Sequence, residues 1–282
     1  MPEIKLVYEF VDQENRSNSL SPEIIVPRRP RLDIAGSPQL VLQRGLESKQ
    51  TFRCAADFCR YLEALQASSA SCGCVVHAYA LLPSEVRLLV TGNVPGAVSH
   101  MMQSLGRRYA YSVNAREGST GACWQGRYCS CPVGHTHALL ASGYVELSPV
   151  KAGFVSNAAA YRWSSYACNA LGIPNPLISP PPGYLALAEQ DCEKRAHYRE
   201  LLAGGSHGET ILMHIQQGRA WGDARFLRNV ARLFGDRGTA KPRGRPRKSQ
   251  RSPGIVPILM TTLSPFLLTR WIESGHTLVT MM

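Results

Sequence analysis

The chain has 282 residues, which is long enough for one well-buried domain and a second, smaller one. Its 44% hydrophobic and 18% charged residues are typical of a globular protein and exclude a chain made mainly of charge-rich disorder. Because 31 Lys and Arg residues stand against 20 Asp and Glu residues, the formal charge is +11. This charge favours a polyanionic partner, either nucleic acid or an anionic membrane surface.

Nine cysteines are spaced irregularly, and the N-terminus lacks a basic start followed by an apolar core. Both features indicate reduced thiols in a cytoplasmic protein rather than a disulfide framework. Cys72 with Cys74, and Cys129 with Cys131, form C-x-C pairs that a strand places on one face, where either pair is a candidate zinc donor. We favour packing as small hydrophobic residues, since no C-x-x-C pair is present.

The first elements follow from breaks in composition. Residues 1–27 hold an acidic and polar run with little to bury, and we interpret them as a disordered extension outside the core fold. Gln39–Arg44 is short and apolar enough to predict a strand. Ala55–Leu65 carries apolar residues three and four positions apart, which predicts an amphipathic helix.

A hairpin is predicted next, because the apolar runs 74–81 and 86–91 are separated by Pro83 and Ser84. Apolar residues then recur at helical spacing from Val98 to Tyr109. A strand is predicted within 124–133, followed by a helix over 137–147 that Pro149 ends.

This order of elements predicts an α+β fold, with an antiparallel sheet of the ferredoxin-like kind and helices packed on one side. We assign this domain to residues 28–173. Residues 174–236 are predicted to be a proline-rich linker followed by a small helical C-terminal region, with helices near 192–202 and 223–234.

The segment 237–253 is strongly basic and resembles an AT-hook, in which Gly-Arg-Pro lies in the minor groove of A·T-rich duplex DNA. The alternative is a basic tail that binds phosphates by charge alone. Both interpretations predict DNA contacts from Arg243, Arg245, Arg247 and Lys248. The apolar tail, residues 254–282, is interrupted by Pro and polar residues, which argues against a membrane anchor and leaves its role open.

Seven blocks of the chain, in order over about residues 28–248, resemble the REP-associated tyrosine transposases, a branch of the single-tyrosine HUH transposases of insertion sequences. The blocks are Pro38–Gly45, His77–Pro83, Met102–Tyr109, Trp124–Tyr128, Tyr144–Gly153, Trp163–Tyr166 and Gly222–Phe226.

The resemblance implies a DNA-cutting site with Tyr144 as its nucleophile. In the family, two histidines on a strand and a polar residue one turn after the tyrosine hold Mg²⁺ or Mn²⁺ against the scissile phosphate. The tyrosine attacks and forms a 5′-phosphotyrosine, as metal-assisted nucleophilic catalysis requires. The implied partner is single-stranded or hairpin DNA in the bacterial cytoplasm, in association with the nucleoid.

The metal positions depart from the family pattern. Glu85 and Arg87 stand where the family has its two histidines, and Ser148 stands where it has a side-chain amide. Glu85 could ligate a hard cation, but Arg87 has no lone pair to donate and Ser148 is a weak ligand. We therefore predict no metal site, cleavage that is strongly reduced or absent, and a site in which Arg87 pairs with Glu85 or contacts phosphate.

Two hypotheses follow from these departures, namely an impaired transposase and a catalytically silent DNA-binding relative. A third interpretation is a basic interaction protein whose apolar tail docks a partner. Oligomeric state stays open. His135-Thr136-His137 repeats the His-x-His spacing, but it lies at a predicted helix entry, and His77 and His100 are interpreted as structural.

Further DNA contacts are predicted from Arg107, Arg108 and Arg127. These residues lie in the sequence beside Tyr109, Trp124 and Tyr128, and arginines next to aromatic rings suit single strands, whose bases stack on the rings. The alternative is that the aromatic residues belong to the core and the arginines extend from it to solvent.

Overall fold

A computed structural model describes residues 30–46, 50–204, 208–235 and 238 of the chain. Four strands form one antiparallel sheet in the order β2-β3-β1-β4. They are β1 (Pro38–Arg44), β2 (Cys74–Leu82), β3 (Glu85–Gly92) and β4 (Cys129–Pro132). The predicted last strand is therefore shorter than 124–133, although Trp124 still bridges to Gly45.

The first helix, α1 (Ala55–Ser71), joins β1 to β2, and the second, α2 (Ala97–Glu117), joins β3 to β4. This β-α-β-β-α-β order with antiparallel neighbours is the ferredoxin-like arrangement, so the predicted α+β fold is confirmed. Both helices are longer than the predicted stretches 55–65 and 98–109.

The central strand β1 is buried on both faces, and this determines the layers of the fold. Successive strand residues point to opposite faces, so Val41 packs beneath α1 and α2 while Leu40 and Leu42 enter a second cluster. That second cluster contains α3 (Ala138–Glu146). The helices α1 and α2 cover one face as predicted, and α3 adds a layer on the opposite face, which the sequence pattern did not predict.

Helix α3 carries Tyr144, and we name it the tyrosine helix. It starts after a short 3₁₀ turn over His135–His137 and ends at Glu146. Pro149 does not end it, contrary to the prediction. Leu147 intervenes, and Pro149 lies in the first turn of α4 (Ser148–Lys151), where a missing N–H breaks no helical hydrogen bond.

The C-terminal part contains α5 (Tyr166–Asn169), α6 (Asp191–Ala203), α7 (Gly208–Gln217) and α8 (Ala224–Phe234). Helices α6 and α8 confirm the two predicted helical stretches. Helix α7 was not predicted, although Ile211 and Ile215, four positions apart, are its buried residues. They join the cluster beneath α3, so this helix packs on the sheet.

Within residues 174–183, predicted as part of a stiff linker, Ile178 and Ser179 lie along the edge strand β2. The N–H of Ser179 donates to the carbonyl of Val76 at 2.9 Å, and Ile178 forms a parallel bridge with Val76. This pairing covers part of a sheet edge that would otherwise expose unpaired backbone groups. The predicted extension 1–27, the apolar tail 254–282 and all of the basic segment except Gly238 lie outside the described residues.

Candidate functional site

Tyr144 is held in the cluster between α3 and the sheet, with only 6% of its surface exposed. Its neighbour Gly143 lets α6 approach closely, because a side chain there would overlap Leu202. Strand β3 and helix α4, which follows the tyrosine helix, contribute the other side chains near Tyr144.

Two cationic side chains lie near the Tyr144 ring. The Arg87 guanidinium carbon is 4.9 Å from the ring centroid, and the Lys151 ammonium nitrogen is 5.8 Å from it. Cations at such distances are attracted to the ring quadrupole. The ring is therefore covered by positive charge where the family resemblance implies a metal ion.

Glu85 and Arg87 form the pair that the sequence predicted. Arg87 Nε donates to Glu85 Oε1 at 2.6 Å, since two residues two positions apart on a strand share a face. Arg44 lies opposite Glu85 on β1, and its Nε donates to Glu85 Oε2 at 3.1 Å. Both carboxylate oxygens are thus engaged by guanidinium groups.

We name Arg44, Glu85, Arg87, Tyr144 and Lys151 the tyrosine cluster. Three of its side chains are cations and one is a carboxylate, so the cluster carries excess positive charge at neutral pH. Burial lowers the pKa of Lys151, and the charge of Arg87 lowers it further. An anion placed in the cluster would relieve this repulsion.

The Tyr144 hydroxyl is poorly prepared for attack. Burial raises the pKa of Tyr144, and the opposing effect of Arg87 does not offset it. Because the ordinary phenol pKa is already about 10, the group is protonated at neutral pH. The phenol would require an electrophilic partner to act as a nucleophile.

The residues at the positions where the family resemblance implies metal ligands, namely Glu85, Arg87 and Ser148, do not fit a metal ion. The Glu85 oxygens are held by two guanidinium groups, and Arg87 has no lone pair. Ser148 is 1% exposed, and its hydroxyl donates to the Val145 carbonyl at 2.6 Å. Within the described ranges, no three His, Cys, Asp or Glu side chains are grouped to hold an ion.

Glu146, two residues after Tyr144, is fully buried and anchors the tyrosine helix. Its Oε1 accepts from the Ser165 hydroxyl at 2.5 Å and the Asn169 amide at 2.7 Å, and its Oε2 accepts from the Tyr198 hydroxyl at 2.8 Å. Burial raises the pKa of Glu146 to about 7, while the three hydrogen bonds oppose the shift. Sequence reasoning missed this residue, because its partners come from α5, α6 and the turn before α5.

The predicted DNA-contacting arginines are split between two regions. Arg107 and Arg108 are exposed on α2, which covers the sheet face opposite α3. Arg127 is exposed before β4 and lines a cavity with Arg44 of the tyrosine cluster. The structure therefore brings only Arg127 of these three towards Tyr144, and the DNA contacts of all three stay predictions.

The neighbouring aromatic residues are mainly core residues, as the alternative interpretation held. Tyr109 is 1% exposed, and its hydroxyl donates to the Thr51 carbonyl at 2.7 Å. Trp124 packs against the Tyr109 ring with centroids 5.7 Å apart. The prediction that DNA bases stack on the Tyr109 ring is therefore wrong, because this ring lies within the aromatic core.

His77 and one cysteine of each C-x-C pair are buried in the fold. His77 is buried, with one ring nitrogen 3.1 Å from the Ser179 carbonyl and the other 2.9 Å from the Thr91 hydroxyl. His135 and His137 lie in the helix entry as predicted, and Cys74 and Cys131 are buried thiols. Arg243, Arg245, Arg247 and Lys248 lie outside the described residues, so their predicted DNA contacts stay predictions.

Comparisons with known proteins return structural similarity alone. No family model matches the chain, and no curated protein matches it. The structure of a REP-associated tyrosine transposase bound to a REP hairpin is similar at 13% identity and TM-score 0.45, over 54% of this chain and 90% of that one. A crystal structure of a proposed transposase from Deinococcus radiodurans R1 is similar at 20% identity and TM-score 0.29, over 40% of this chain and 92% of that one.

Among the described residues, no helix combines the length and apolar character that crossing a bilayer requires. The apolar tail, on which the membrane question arose in the sequence, falls outside that part of the chain.

Proposed function

We propose that this protein is a DNA-binding relative of the REP-associated tyrosine transposases that holds a strand at the tyrosine cluster without cutting it. The observation that carries the proposal is the contact of Arg87 with Tyr144, at 4.9 Å, in the place where the family resemblance implies a metal. A guanidinium group there repels a divalent cation and attracts a phosphate.

The surrounding charges support phosphate binding. Arg44 and Arg87 present their guanidinium groups on neighbouring strands, held by one carboxylate between them. Lys151 approaches the same ring from α4. Guanidinium groups match phosphate oxygens in a fork geometry, whereas lysine adds a point charge. A phosphodiester that enters the cluster would replace solvent around three cations.

The preferred partner in this proposal is single-stranded or hairpin DNA, as the family resemblance implies. The predicted basic segment 237–253 would add affinity for duplex DNA, because its charge neutralises phosphates whatever the sequence. Its AT-hook-like Gly-Arg-Pro would favour A·T-rich duplex, whose minor groove has a strong negative potential. Cleavage is absent in this proposal, since the residues around the protonated phenol do not fit a metal ion that would assist it.

Binding of a fluorescently labelled DNA hairpin should weaken steeply with added salt and should be unchanged by a chelator. Salt dependence is expected because phosphate contacts release counterions from DNA. The Tyr144→Phe variant should bind within about 2-fold of the wild type, because it removes one phenolic hydroxyl and keeps the ring. Fluorescence anisotropy over a salt series, with and without EDTA, on the wild type and on Tyr144→Phe measures the salt dependence, the chelator dependence and the effect of the substitution.

The same mixtures, incubated with Mn²⁺ and analysed by denaturing electrophoresis, test for a covalent protein–DNA adduct. We expect none. An adduct that requires Mn²⁺ and disappears in Tyr144→Phe would replace this proposal with an active single-strand transposase.

A further inference from the structure

A separate cavity lies between the approach to β1, the start of β4 and the C-terminal end of α7. Its volume is about 240 Å³, below the range of about 300–1,000 Å³ typical of drug-sized ligand pockets. We name it the Arg31 cavity. Its size suits a small anion or one nucleotide unit rather than a duplex.

The walls of the Arg31 cavity are positively charged. Arg31, Arg127 and Arg219 line it, and no Asp or Glu is among its described lining residues. Neither Arg31 nor Arg127 has a described carboxylate within ion-pair distance. Burial lowers the pKa of Arg31, which reflects the cost of a partly desolvated charge.

Arg31 is held in place before any ligand arrives. Its guanidinium carbon lies 3.7 Å from the centroid of the Tyr128 ring, and its Nη2 donates to the Tyr128 carbonyl at 2.9 Å. The Tyr128 hydroxyl is in turn 2.9 Å from the Ser99 hydroxyl. A cation fixed in this way loses little conformational freedom when it binds an anion.

Ser130 supplies a second, independent sign of a ligand. Ser130 lines the Arg31 cavity and is 5% exposed, and its buried hydroxyl has no hydrogen-bond partner among the described residues. A buried hydroxyl without a partner is costly, and such groups in folded proteins usually have one. Rotation of the Ser130 side chain into the cavity would offer this hydroxyl to a phosphate oxygen.

We propose that the Arg31 cavity is a binding site for the phosphate group of a nucleotide, with Arg31 and Arg127 contacting the anion and Ser130 donating a hydrogen bond to it. The proposal stands on these residues and does not depend on DNA binding at the tyrosine cluster. The phosphate has two sources, a free nucleotide or a DNA strand. A smaller cavity of about 130 Å³ is lined by Arg127 and Arg44, so Arg127 borders both the Arg31 cavity and a cavity that reaches the tyrosine cluster.

Isothermal titration of the full chain with dAMP and with inorganic phosphate tests the first source. Anisotropy of an oligonucleotide with and without a 5′-phosphate tests the second. Arg127→Ala should weaken phosphate-dependent binding about 10-fold, and Ser130→Ala about 5-fold. Ser130→Ala should not lower the thermal midpoint, because it removes a buried hydroxyl that lacks a partner.

The matched control is Arg60→Ala, which removes the same charge from the exposed surface of α1 and should leave phosphate binding unchanged. Binding in the dAMP arm identifies a free nucleotide, and binding only to the 5′-phosphorylated oligonucleotide identifies a strand end. The proposal is overturned if no phosphate probe binds at millimolar concentration, or if Arg127→Ala and Ser130→Ala behave like Arg60→Ala. An Arg87→Glu variant separates the two sites, since it alters the tyrosine cluster and leaves the Arg31 cavity intact.

Discussion

Replacing Arg87 with glutamate is expected to weaken binding of a DNA hairpin by about 100-fold, which corresponds to about 2.7 kcal/mol. The substitution removes a cation beside Tyr144 and leaves two carboxylates, at positions 85 and 87, facing the phosphates. The excess positive charge of the tyrosine cluster is then lost. Anisotropy at fixed salt measures the change, and the salt dependence should also become shallower.

Glu85→Gln, at the ion-pair partner of Arg87, is expected to change the affinity for DNA in the opposite direction. It removes the carboxylate that engages Arg44 and Arg87, so both guanidinium groups become available to phosphate. We expect affinity to rise by about 10-fold. If Glu85 instead ligated a metal required for binding, the same substitution would lower affinity, and that result would contradict the phosphate-binding proposal. Arg60→Glu, a charge reversal on the exposed surface of α1, controls for the equal change in net charge of Arg87→Glu.

The second large effect is expected on stability. Glu146→Ala removes the acceptor for three buried donors, from Ser165, Asn169 and Tyr198. Each buried donor left without a partner costs about 1–3 kcal/mol, so the free energy of unfolding should fall by about 3 kcal/mol or more. Chemical denaturation followed by circular dichroism measures this loss.

Glu146→Gln is the matched control, because its amide keeps one acceptor for Ser165 and Asn169 and offers a donor to the Tyr198 oxygen. We expect it to retain most of the stability that Glu146→Ala loses. A loss equal to that of Glu146→Ala would show that the side chain acts by charge and not as a hydrogen-bond acceptor.

The same residue produces a pH dependence with a defined sign. Its pKa is raised from 4.5 in the unfolded chain to about 7 in the folded state. The folded state therefore binds more protons between these values, and the contribution to stability is complete below pH 4.5 and declines as the pH rises to about 7. In Glu146→Gln this decline should be absent, while other titrating groups keep their effects.

Glu146 also connects stability to the site. It holds the helix that carries Tyr144 to α5 and α6, and Gly143 permits the close contact with α6. The position of the tyrosine therefore depends on elements that come later in the chain. A loss of hydrogen bonds at Glu146 should loosen the tyrosine cluster before it unfolds the sheet.

The ferredoxin-like core could be predicted because its signals are local. Apolar runs on either side of Pro83 and Ser84 mark β2 and β3, and helical spacing marks α1 and α2. The second helical layer could not be predicted in this way. The apolar run of β1 is buried on both faces, and periodicity alone does not tell which later helix covers the second face.

Some features of the candidate site could likewise be predicted from the sequence, and others could not. The sequence by itself pointed to Tyr144, to Glu85 and Arg87 at the positions where the resembled family has histidines, and to the pairing of those two residues, because residues two apart on a strand share a face. Only the tertiary structure decided that Arg44 completes the ion pairs, that Lys151 approaches the ring and that Glu146 is buried among distant donors. Strand register and helix packing bring these groups together across long sequence separations, and no local pattern encodes that proximity.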